Sequence, residues 1–383
     1  MSGPFGSSQW MYNASSGFYS FEISNSLRFN AGDSAYLHKS QGSGNRRTFT
    51  ISFWVKRSRQ NDRQAIFSAS TDGNNECFIW FDTDDELFVK ESTSGSTNFE
   101  IRTNRKFRDA SAWYHIVVAY DTTDSTAGDR VKIYVNGVEE TSFANETQPD
   151  ENFQTKFNDG STTLNIGRIN TSEYFGGYLA EATLIDGLQL TPSSFGELKN
   201  DIWIPKNTSG LTFGTNGLRL QFKQSGTGTA SASTIGADTS GNTNHLTSVN
   251  LASTDISVDS PTNNFCLPNP LNKSDDIVFS EGNTKAVFST FAQSPNGTIG
   301  ARSGKWYYEV KMAGTHGRMG FCESHCPQGD ADTSTTFPLY MVYSNGSNGL
   351  SIYNSVTEKS LSTESGYTSF SDGDTLGIAF DID

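Results

Sequence analysis

The sequence predicts an all-β protein with two β-sandwiches that follow a short N-terminal arm. The 383-residue chain contains 36 glycines and 27 phenylalanines, and only 18% of its residues are charged. Apolar residues recur in short runs bounded by Gly, Ser, Thr and Asn, and long runs with the 3.6-residue helical period are missing. Many short strands joined by polar turns produce this pattern, and the length favours two or three domains.

Residues 1–25 are predicted to form the arm, because the segment is small, polar and too short to be a domain. We expect it either to dock on a partner subunit or to cover the sandwich behind it. Four aromatic side chains are the candidates for docking: Trp10, Tyr12, Phe18 and Tyr19.

Residues 26–200 are predicted to form the first sandwich. Within them, residues 49–55 alternate polar Thr50 and Ser52 with apolar residues, which predicts a strand with one buried face. Asn136–Gly137 follows the apolar run VKIYV and favours a two-residue type I′ turn, since both residues tolerate positive φ. The sequence therefore predicts a hairpin at this dipeptide.

Residues 201–272 shift in composition towards Gly, Ser, Thr and Asn. Apolar residues within them, such as Trp203 and Phe213, favour burial over a freely flexible linker. We expect a connector with short strands that wraps the first sandwich.

Residues 273–383 are predicted to form the second sandwich, from strands such as GKWYYEV at 304–310 and GDTLGIAFD at 373–381. The chain stops at Asp383, shortly after the last of these strands. We therefore expect the second sandwich to be incomplete, with a missing strand supplied by further sequence or by a neighbouring subunit.

The formal net charge of −14 argues against binding nucleic acid through its phosphates. One local exception is the segment 46–63, where six basic residues accompany a single acid, and it is either a solvated hairpin surface or an anion-binding patch. Four scattered cysteines are too few for a disulfide scaffold. No stretch reaches membrane-spanning length, so we expect no membrane insertion.

The order of motifs in residues 26–197 resembles laminin G-like domains of the concanavalin A-like jelly-roll class. The motifs are SLRFN, FTISFWVKR, WYHIVVAYD, VKIYVNG, LNIGR and FGGYLAEATLIDG. The two strand motifs near the C-terminus, GKWYYEV and GDTLGIAFD, resemble a SPRY β-sandwich.

Flanking segments such as MSGPFGSSQWMY, IWIPK and SPTNNFCLPNP resemble structural proteins of marine bacteriophages. This resemblance implies a virion component of the tail fibre or tail tip. It implies other virion proteins as partners, a homo-oligomer and contact with a host cell-surface polysaccharide. The N-terminus lacks the features of a signal peptide, so we expect synthesis in the host cytoplasm and a final location in the virion.

Calcium is the one cofactor that the resemblance suggests, because laminin G-like domains often bind Ca²⁺ at the sandwich rim. Ca²⁺ takes six to eight oxygen ligands, which loop carboxylates and amides can supply. The candidate ligands are Asp82, Asp84, Asp85, Asn165 and Asp186.

The acidic run Asp82–Glu86 has three interpretations. Asp82, Asp84 and Glu86 would share one face of a strand, as the paired carboxylates of glycoside hydrolases must. Phe81 and Leu87 flank the run, which favours a solvated hairpin turn instead. A calcium-binding loop is the third interpretation.

Tyr174 and Phe175 are the best candidates for binding sugar, because aromatic rings in loops stack on the apolar face of a sugar. The alternative is that both rings cap the sandwich core. His115, inside a predicted strand, is interpreted as a packed or surface histidine and not as a catalytic base. Cys322, His325 and Cys326 resemble half of a zinc site, but a fourth ligand at a matching spacing is absent.

These observations predict a non-enzymatic virion protein that contacts host surface glycans. A purely structural tail or capsid-decorating subunit is the second hypothesis. A glycan depolymerase is the third, and the missing carboxylate pair disfavours it.

Overall fold

The computed structural model describes seven stretches of the chain: residues 17–288, 295–314, 316–322, 339–345, 350–354, 357–360 and 371–382. The predicted docking residues Trp10 and Tyr12, and the zinc candidates His325 and Cys326, lie outside these stretches. The chain divides into two compact units, and the larger comprises residues 18–266 together with 279–285.

The larger unit is built from eighteen strands and four short 3₁₀ turns. The strands are β1 (Ser26–Phe29), β2 (Tyr36–Ser40), β3 (Thr48–Arg57), β4 (Gln64–Asp72), β5 (Asn75–Phe81), β6 (Glu86–Thr93), β7 (Ser96–Lys106), β8 (Tyr114–Asp121), β9 (Val131–Val135), β10 (Val138–Glu139), β11 (Phe143–Thr147), β12 (Thr163–Ile166), β13 (Gly177–Asp186), β14 (Gly196–Lys199), β15 (Ile202–Pro205), β16 (Leu218–Leu220), β17 (Thr247–Val249) and β18 (Ile256–Ser257). The 3₁₀ turns are Ala31–Asp33, Ala127–Asp129, Pro192–Ser194 and Ser253–Asp255.

Two antiparallel sheets of eight strands make up the sandwich, as the all-β prediction requires. Sheet 1 has the order β10-β9-β8-β3-β13-β1-β18, with β16 paired to β13, and sheet 2 has the order β11-β7-β6-β5-β4-β12-β2-β17. Their inner faces pack together in one apolar core, where the rings of Phe53 in sheet 1 and Phe67 in sheet 2 stack 5.5 Å apart. Burial of such rings is the main stabilising term of a sandwich.

The hairpin predicted at Asn136–Gly137 is confirmed. Val135 of β9 pairs with Val138 of β10, and the two turn residues have φ values of 49° and 83°. Two positive φ values in succession define the type I′ turn, which matches the twist of the strands.

Strand β3 is buried on both faces, whereas its alternating pattern predicts one exposed face. The polar residues of its outer face bind neighbouring segments: Thr50 Oγ1 donates to the Leu188 carbonyl at 2.8 Å, and Ser52 bonds with His115. The outer face of sheet 1 also packs against Phe195 and Phe213. Chain beyond residue 200 therefore folds onto the first sandwich.

Residues 259–265 are fastened to sheet 1 by a buried lysine. The ammonium group of Lys56 donates to the Asp259 carboxylate, the Asn264 amide oxygen and the Phe265 carbonyl, each at 2.8 Å. Trp113 Nε1 donates to the second Asp259 oxygen at 3.0 Å. All three protons of Lys56 are thus satisfied, and this compensates for burying its charge.

The described residues that follow β18 include eight further strands. They are β19 (Ile277–Ser280), β20 (Lys285–Phe288), β21 (Lys305–Lys311), β22 (His316–Cys322), β23 (Leu339–Asn345), β24 (Leu350–Asn354), β25 (Thr357–Ser360) and β26 (Thr375–Asp381). Strand β21 pairs with β26, and β22 to β25 form a four-stranded antiparallel sheet. Across the described ranges, no helix has the length and apolar character needed to cross a membrane.

Candidate functional site

The outer face of sheet 2 carries aromatic side chains that do not belong to the main core. In β5, Cys77 and Ile79 point into the core, while Phe78 and Trp80 belong to a separate cluster with Phe88 of β6. The rings of Phe78 and Trp80 stack with centroids 4.0 Å apart. Because successive strand residues point to opposite faces, this cluster lies on the face turned away from sheet 1.

Two arginines cover this aromatic cluster. The guanidinium of Arg63 lies 5.4 Å from the Trp80 ring centroid, and that of Arg102 lies 4.8 Å from the Phe88 centroid. Both arginines have carboxylate partners: Arg63 bonds Asp82 at 3.1 Å, and Arg102 lies 3.5 Å from Glu100. The cluster is therefore a covered, rigid part of the face.

A second group lies further along the same face, and we call it the Tyr36 group. Its members are Tyr36, His38, Asn165, Arg168 and Tyr174. The Tyr36 ring centroid lies 6.4 Å from that of Tyr174 and 5.5 Å from that of His38, and 3.4 Å from Cζ of Arg168. All members except Asn165 are partly exposed to solvent.

Strand pairing brings the Tyr36 group together. Asn165 of β12 is the register partner of both His38 in β2 and Ser68 in β4. The Asn165 side-chain oxygen accepts a hydrogen bond from Arg168 Nε at 3.1 Å, and Ser68 Oγ donates to the Arg168 carbonyl at 2.9 Å. Both the backbone and the guanidinium of Arg168 are thereby held in place.

The surroundings of His38 favour its neutral form. Burial lowers the pKa of its imidazole below the usual value, and the nearby charge of Arg168 lowers it further. A neutral imidazole has one donor and one acceptor nitrogen. His38 can therefore donate a hydrogen bond to a hydroxyl group through one ring nitrogen and accept one through the other.

The structure separates the two residues predicted to bind sugar. Tyr174 is half-buried and belongs to the Tyr36 group. Phe175 is fully buried in the core, where its ring makes an edge contact with Phe29 at 5.8 Å. The prediction for Phe175 is wrong, because the loop before β13 turns this apolar ring into the core and leaves the neighbouring Tyr174 partly exposed.

The acidic run Asp82–Glu86 forms the turn between β5 and β6, but it is not solvated throughout. Asp85 is fully buried, and its carboxylate accepts bonds at 2.9 Å from Arg57, Arg108 and the Asn61 backbone N–H. These donors occupy the oxygens that a calcium ion would need. Asp85 therefore does not fit the role of a calcium ligand.

The other calcium candidates are dispersed. Asp82 bonds Arg63, and Asp84 is exposed at the tip of the turn. Asn165 bonds Arg168 in the Tyr36 group, whereas Asp186 accepts the backbone N–H groups of Asn45 and Asn216. Within the described ranges, no group of three or more His, Cys, Asp or Glu side chains is placed to hold a metal ion.

The basic segment 46–63 contains both solvated and buried cations, and the side chains of Arg59 and Arg63 are about half-exposed. Lys56 and Arg57 are fully buried and paired with Asp259 and Asp85. Arg46, Arg59 and Arg63 form ion pairs at the surface. Its positive charge is mostly neutralised by acids from distant parts of the chain.

His115 is a buried structural histidine. Trp203 Nε1 donates to His115 Nδ1 at 3.0 Å, so the ring proton resides on Nε2, which lies 2.9 Å from Ser52 Oγ. Burial lowers the pKa of the imidazole to about 3. Because Nε2 already carries a proton, His115 cannot accept the Ser52 hydroxyl proton as a general base.

The two described docking candidates pack on the domain itself. The carbonyl of Phe18 accepts a bond from Lys199, whose ammonium lies 5.5 Å from the Phe18 ring centroid. The Tyr19 ring makes an edge contact with Phe18 at 5.0 Å. The described end of the arm thus contacts the domain at Lys199, and docking of the arm on a partner subunit stays a prediction.

Residues 29–193 match the family model Laminin_G_3, described as the Concanavalin A-like lectin/glucanases superfamily. This match supports the jelly-roll, lectin-like fold predicted for the first domain. No curated protein matches the chain.

Several solved structures are similar to the chain in fold. A heptameric SAP-like pentraxin from Limulus polyphemus is 19% identical over 45% of this chain and 80% of its own, with a TM-score of 0.33. The CBM40 of a Ruminococcus gnavus IT-sialidase, bound to α2,3-sialyllactose, is 15% identical over 42% and 85%, with a TM-score of 0.27. Domain 4 of a Geobacillus stearothermophilus arabinanase, in complex with arabinotriose, is 22% identical over 39% and 65%, with a TM-score of 0.28.

Proposed function

We propose that the first domain binds carbohydrate through the Tyr36 group on the outer face of sheet 2. We further propose that the chain is a non-enzymatic bacteriophage virion protein, of the tail fibre or tail tip, that contacts host surface glycans. The observation that carries the first proposal is the convergence of two partly exposed tyrosines with polar side chains on one rigid sheet face.

The chemistry of the Tyr36 group suits a sugar. Aromatic rings contact the apolar C–H face of a pyranose, and nearby polar groups bond its hydroxyls and fix its orientation. Tyr36 and Tyr174 supply the rings, while His38 and Arg168 supply hydrogen-bonding groups. The family description, which includes lectins, supports the same class of ligand.

Two observations support binding without cleavage. The acidic run lies in a turn, and its Asp82 and Glu86 carboxylates are engaged by Arg63 and Lys106. A glycosidase needs two carboxyl groups that flank the scissile bond, one of them able to donate a proton. His115, moreover, is buried and already bonded at both ring nitrogens.

The virion assignment rests on the resemblance of the flanking segments to phage structural proteins. Loops and faces of a rigid sandwich suit recognition, and many copies in one particle would add avidity to a weak site. Electron cryomicroscopy of the intact virion would test this assignment. A Tyr36 group exposed to solvent fits host recognition, whereas a group buried between subunits favours a purely structural role.

Replacing Tyr174 or Tyr36 by alanine is expected to weaken glycan binding about tenfold each, which corresponds to roughly 1.4 kcal/mol. The reason is that each change removes one ring surface and leaves the sheet intact. A glycan array probed with the full chain identifies the ligand, and calorimetric titration then measures the affinity of each variant.

Tyr134→Ala is the matched control, because Tyr134 is also half-buried but packs on the outer face of sheet 1. It should bind as the unmodified chain does. Equal loss of binding in all three variants would contradict the assigned site, and unfolding temperatures would show that each variant is folded.

A further inference from the structure

We propose that Arg168 binds the anionic group of the ligand, so that the glycan carries carboxylate or sulfate groups. This inference rests on the proposed function, and it names the class of glycan and the residue that selects it.

Arg168 differs from the other arginines of the outer face of sheet 2 in its charge balance. Arg63 pairs with Asp82, and Arg102 lies within salt-bridge distance of Glu86 and Glu100. Within the described stretches, Arg168 forms no ion pair with a carboxylate, and its two terminal nitrogens have no protein acceptor. A positive charge thus stands beside two partly exposed tyrosine rings.

Arg168 is also preorganised. Its Nε donates to Asn165 at 3.1 Å, and its guanidinium lies over the Tyr36 ring with Cζ 3.4 Å from the centroid. The hydrogen bond to Asn165 and the stacking on Tyr36 fix the plane of the guanidinium, and neither contact uses its two terminal nitrogens. A fixed guanidinium binds a carboxylate or sulfate through two parallel hydrogen bonds, which an ammonium cannot reproduce.

One carboxylate of the same face already has a partner. Glu76 of β5 accepts a hydrogen bond from Asn170 Nδ2 at 2.7 Å. Burial lowers the pKa of His38 and the charge of Arg168 lowers it further, which shows that this charge lies close to the imidazole. An anion on the ligand would supply the missing partner.

The site also explains how an acidic protein could bind an acidic glycan. The chain carries a net charge of −14, so long-range attraction does not favour a polyanion. Binding must come from contacts at short range, which salt screens less than attraction between distant charges. We therefore expect affinity to depend on the position of the acidic group on the sugar and not on total ligand charge.

The test compares four probes by calorimetric titration of the full chain. They are an oligosaccharide of uronic acids, its carboxyl-reduced neutral form, a sulfated galactan oligosaccharide and its desulfated form. We expect one charged probe to bind at least tenfold more tightly than its neutral form. The charged probe that binds distinguishes carboxylate from sulfate as the recognised group.

Three variants connect this preference to the residue. Arg168→Gln should abolish the preference, and Arg168→Lys should keep only part of it. The control is Arg47→Gln, because Arg47 is partly exposed and directly precedes β3 of sheet 1; this variant should leave the preference unchanged. Because Arg168 lowers the pKa of His38, Arg168→Gln should also raise that pKa, which proton NMR of the imidazole would detect.

Each contrary result has a separate meaning. Equal binding of charged and neutral probes, unaffected by Arg168→Gln, overturns the inference and leaves the proposed carbohydrate binding intact. A charge preference that persists in folded Arg168→Gln assigns the anion to another residue and also overturns it. Failure of all four probes to bind overturns the inference, and the glycan array then decides separately whether the proposed carbohydrate binding stands.

Discussion

Replacing Asp85 by alanine is expected to destabilise the first domain by about 3–5 kcal/mol, because the buried charge of Arg57 then has no carboxylate partner. The Arg57 side chain is fully buried, and its guanidinium lies 2.9 Å from Asp85 and 4.4 Å from the Phe81 ring centroid. Without the carboxylate, Arg57 keeps only the Phe107 carbonyl, at 2.8 Å, as a hydrogen-bond acceptor. Urea unfolding of the full chain, followed by tryptophan fluorescence, would measure the loss.

Asp84→Ala provides the matched control, since Asp84 is the adjacent acid of the same turn and is exposed. It should change the unfolding free energy by less than about 0.5 kcal/mol. A loss below about 1 kcal/mol for Asp85→Ala would contradict the role assigned to the ion pair. A similar loss in both variants would point to the turn and not to the charge.

Glu91→Gln is expected to stabilise the protein at pH 8 by up to roughly 3 kcal/mol and to have little effect at pH 4. Glu91 of β6 is fully buried on the core side, and burial raises its pKa to about 7, although the Lys156 backbone N–H donates to it at 3.0 Å. Glutamine keeps an acceptor for that bond and has no proton to lose.

The direction of this effect follows from the shift in pKa. The folded state holds the Glu91 proton up to about pH 7, while the unfolded chain releases it near its usual value of 4.5. Its favourable contribution is therefore complete below pH 4.5 and is lost as the pH rises through 7.

Unfolding free energies measured at several pH values should diverge between the two proteins across this interval. The exposed residue Glu139 provides the control, and Glu139→Gln should follow the unmodified chain at every pH. If the unfolding free energies of Glu91→Gln and the unmodified chain differed by a constant amount from pH 4 to pH 8, the raised pKa assigned to Glu91 would be wrong.

Local signals predicted much of the first domain correctly. The Asn136–Gly137 hairpin depends only on the turn dipeptide and the flanking strands, and it forms as expected. The alternation of polar and apolar residues in β3 identified the strand but did not predict that both of its faces are buried. Thr50 and Ser52 are buried because residues distant in sequence, including Leu188 and His115, cover them.

The site was harder to predict because it is built by long-range pairing. Tyr174 was identified as a loop aromatic, but Tyr36, His38 and Arg168 were not singled out. They come together only because β12 pairs with β2, a register that joins residues more than 100 positions apart. The local alternation of Tyr36, Leu37 and His38, with two polar rings on one face, was the available signal.

Buried charges were missed for the same reason. Lys56 and Arg57 looked like part of a basic surface, since most lysines and arginines are exposed. Their partners Asp259 and Asp85 are distant in sequence, and only the folded chain shows that each cation is neutralised. A run of basic residues is therefore a poor predictor of a basic surface when the acids that pair with it lie far away in the sequence.

A crystal structure of the full chain with a bound acidic oligosaccharide would test the central claim most directly. The account predicts a sugar ring against Tyr36 and Tyr174, with its carboxylate or sulfate paired to Arg168. A ligand bound elsewhere on the chain, or no ligand at saturating concentration, would contradict it.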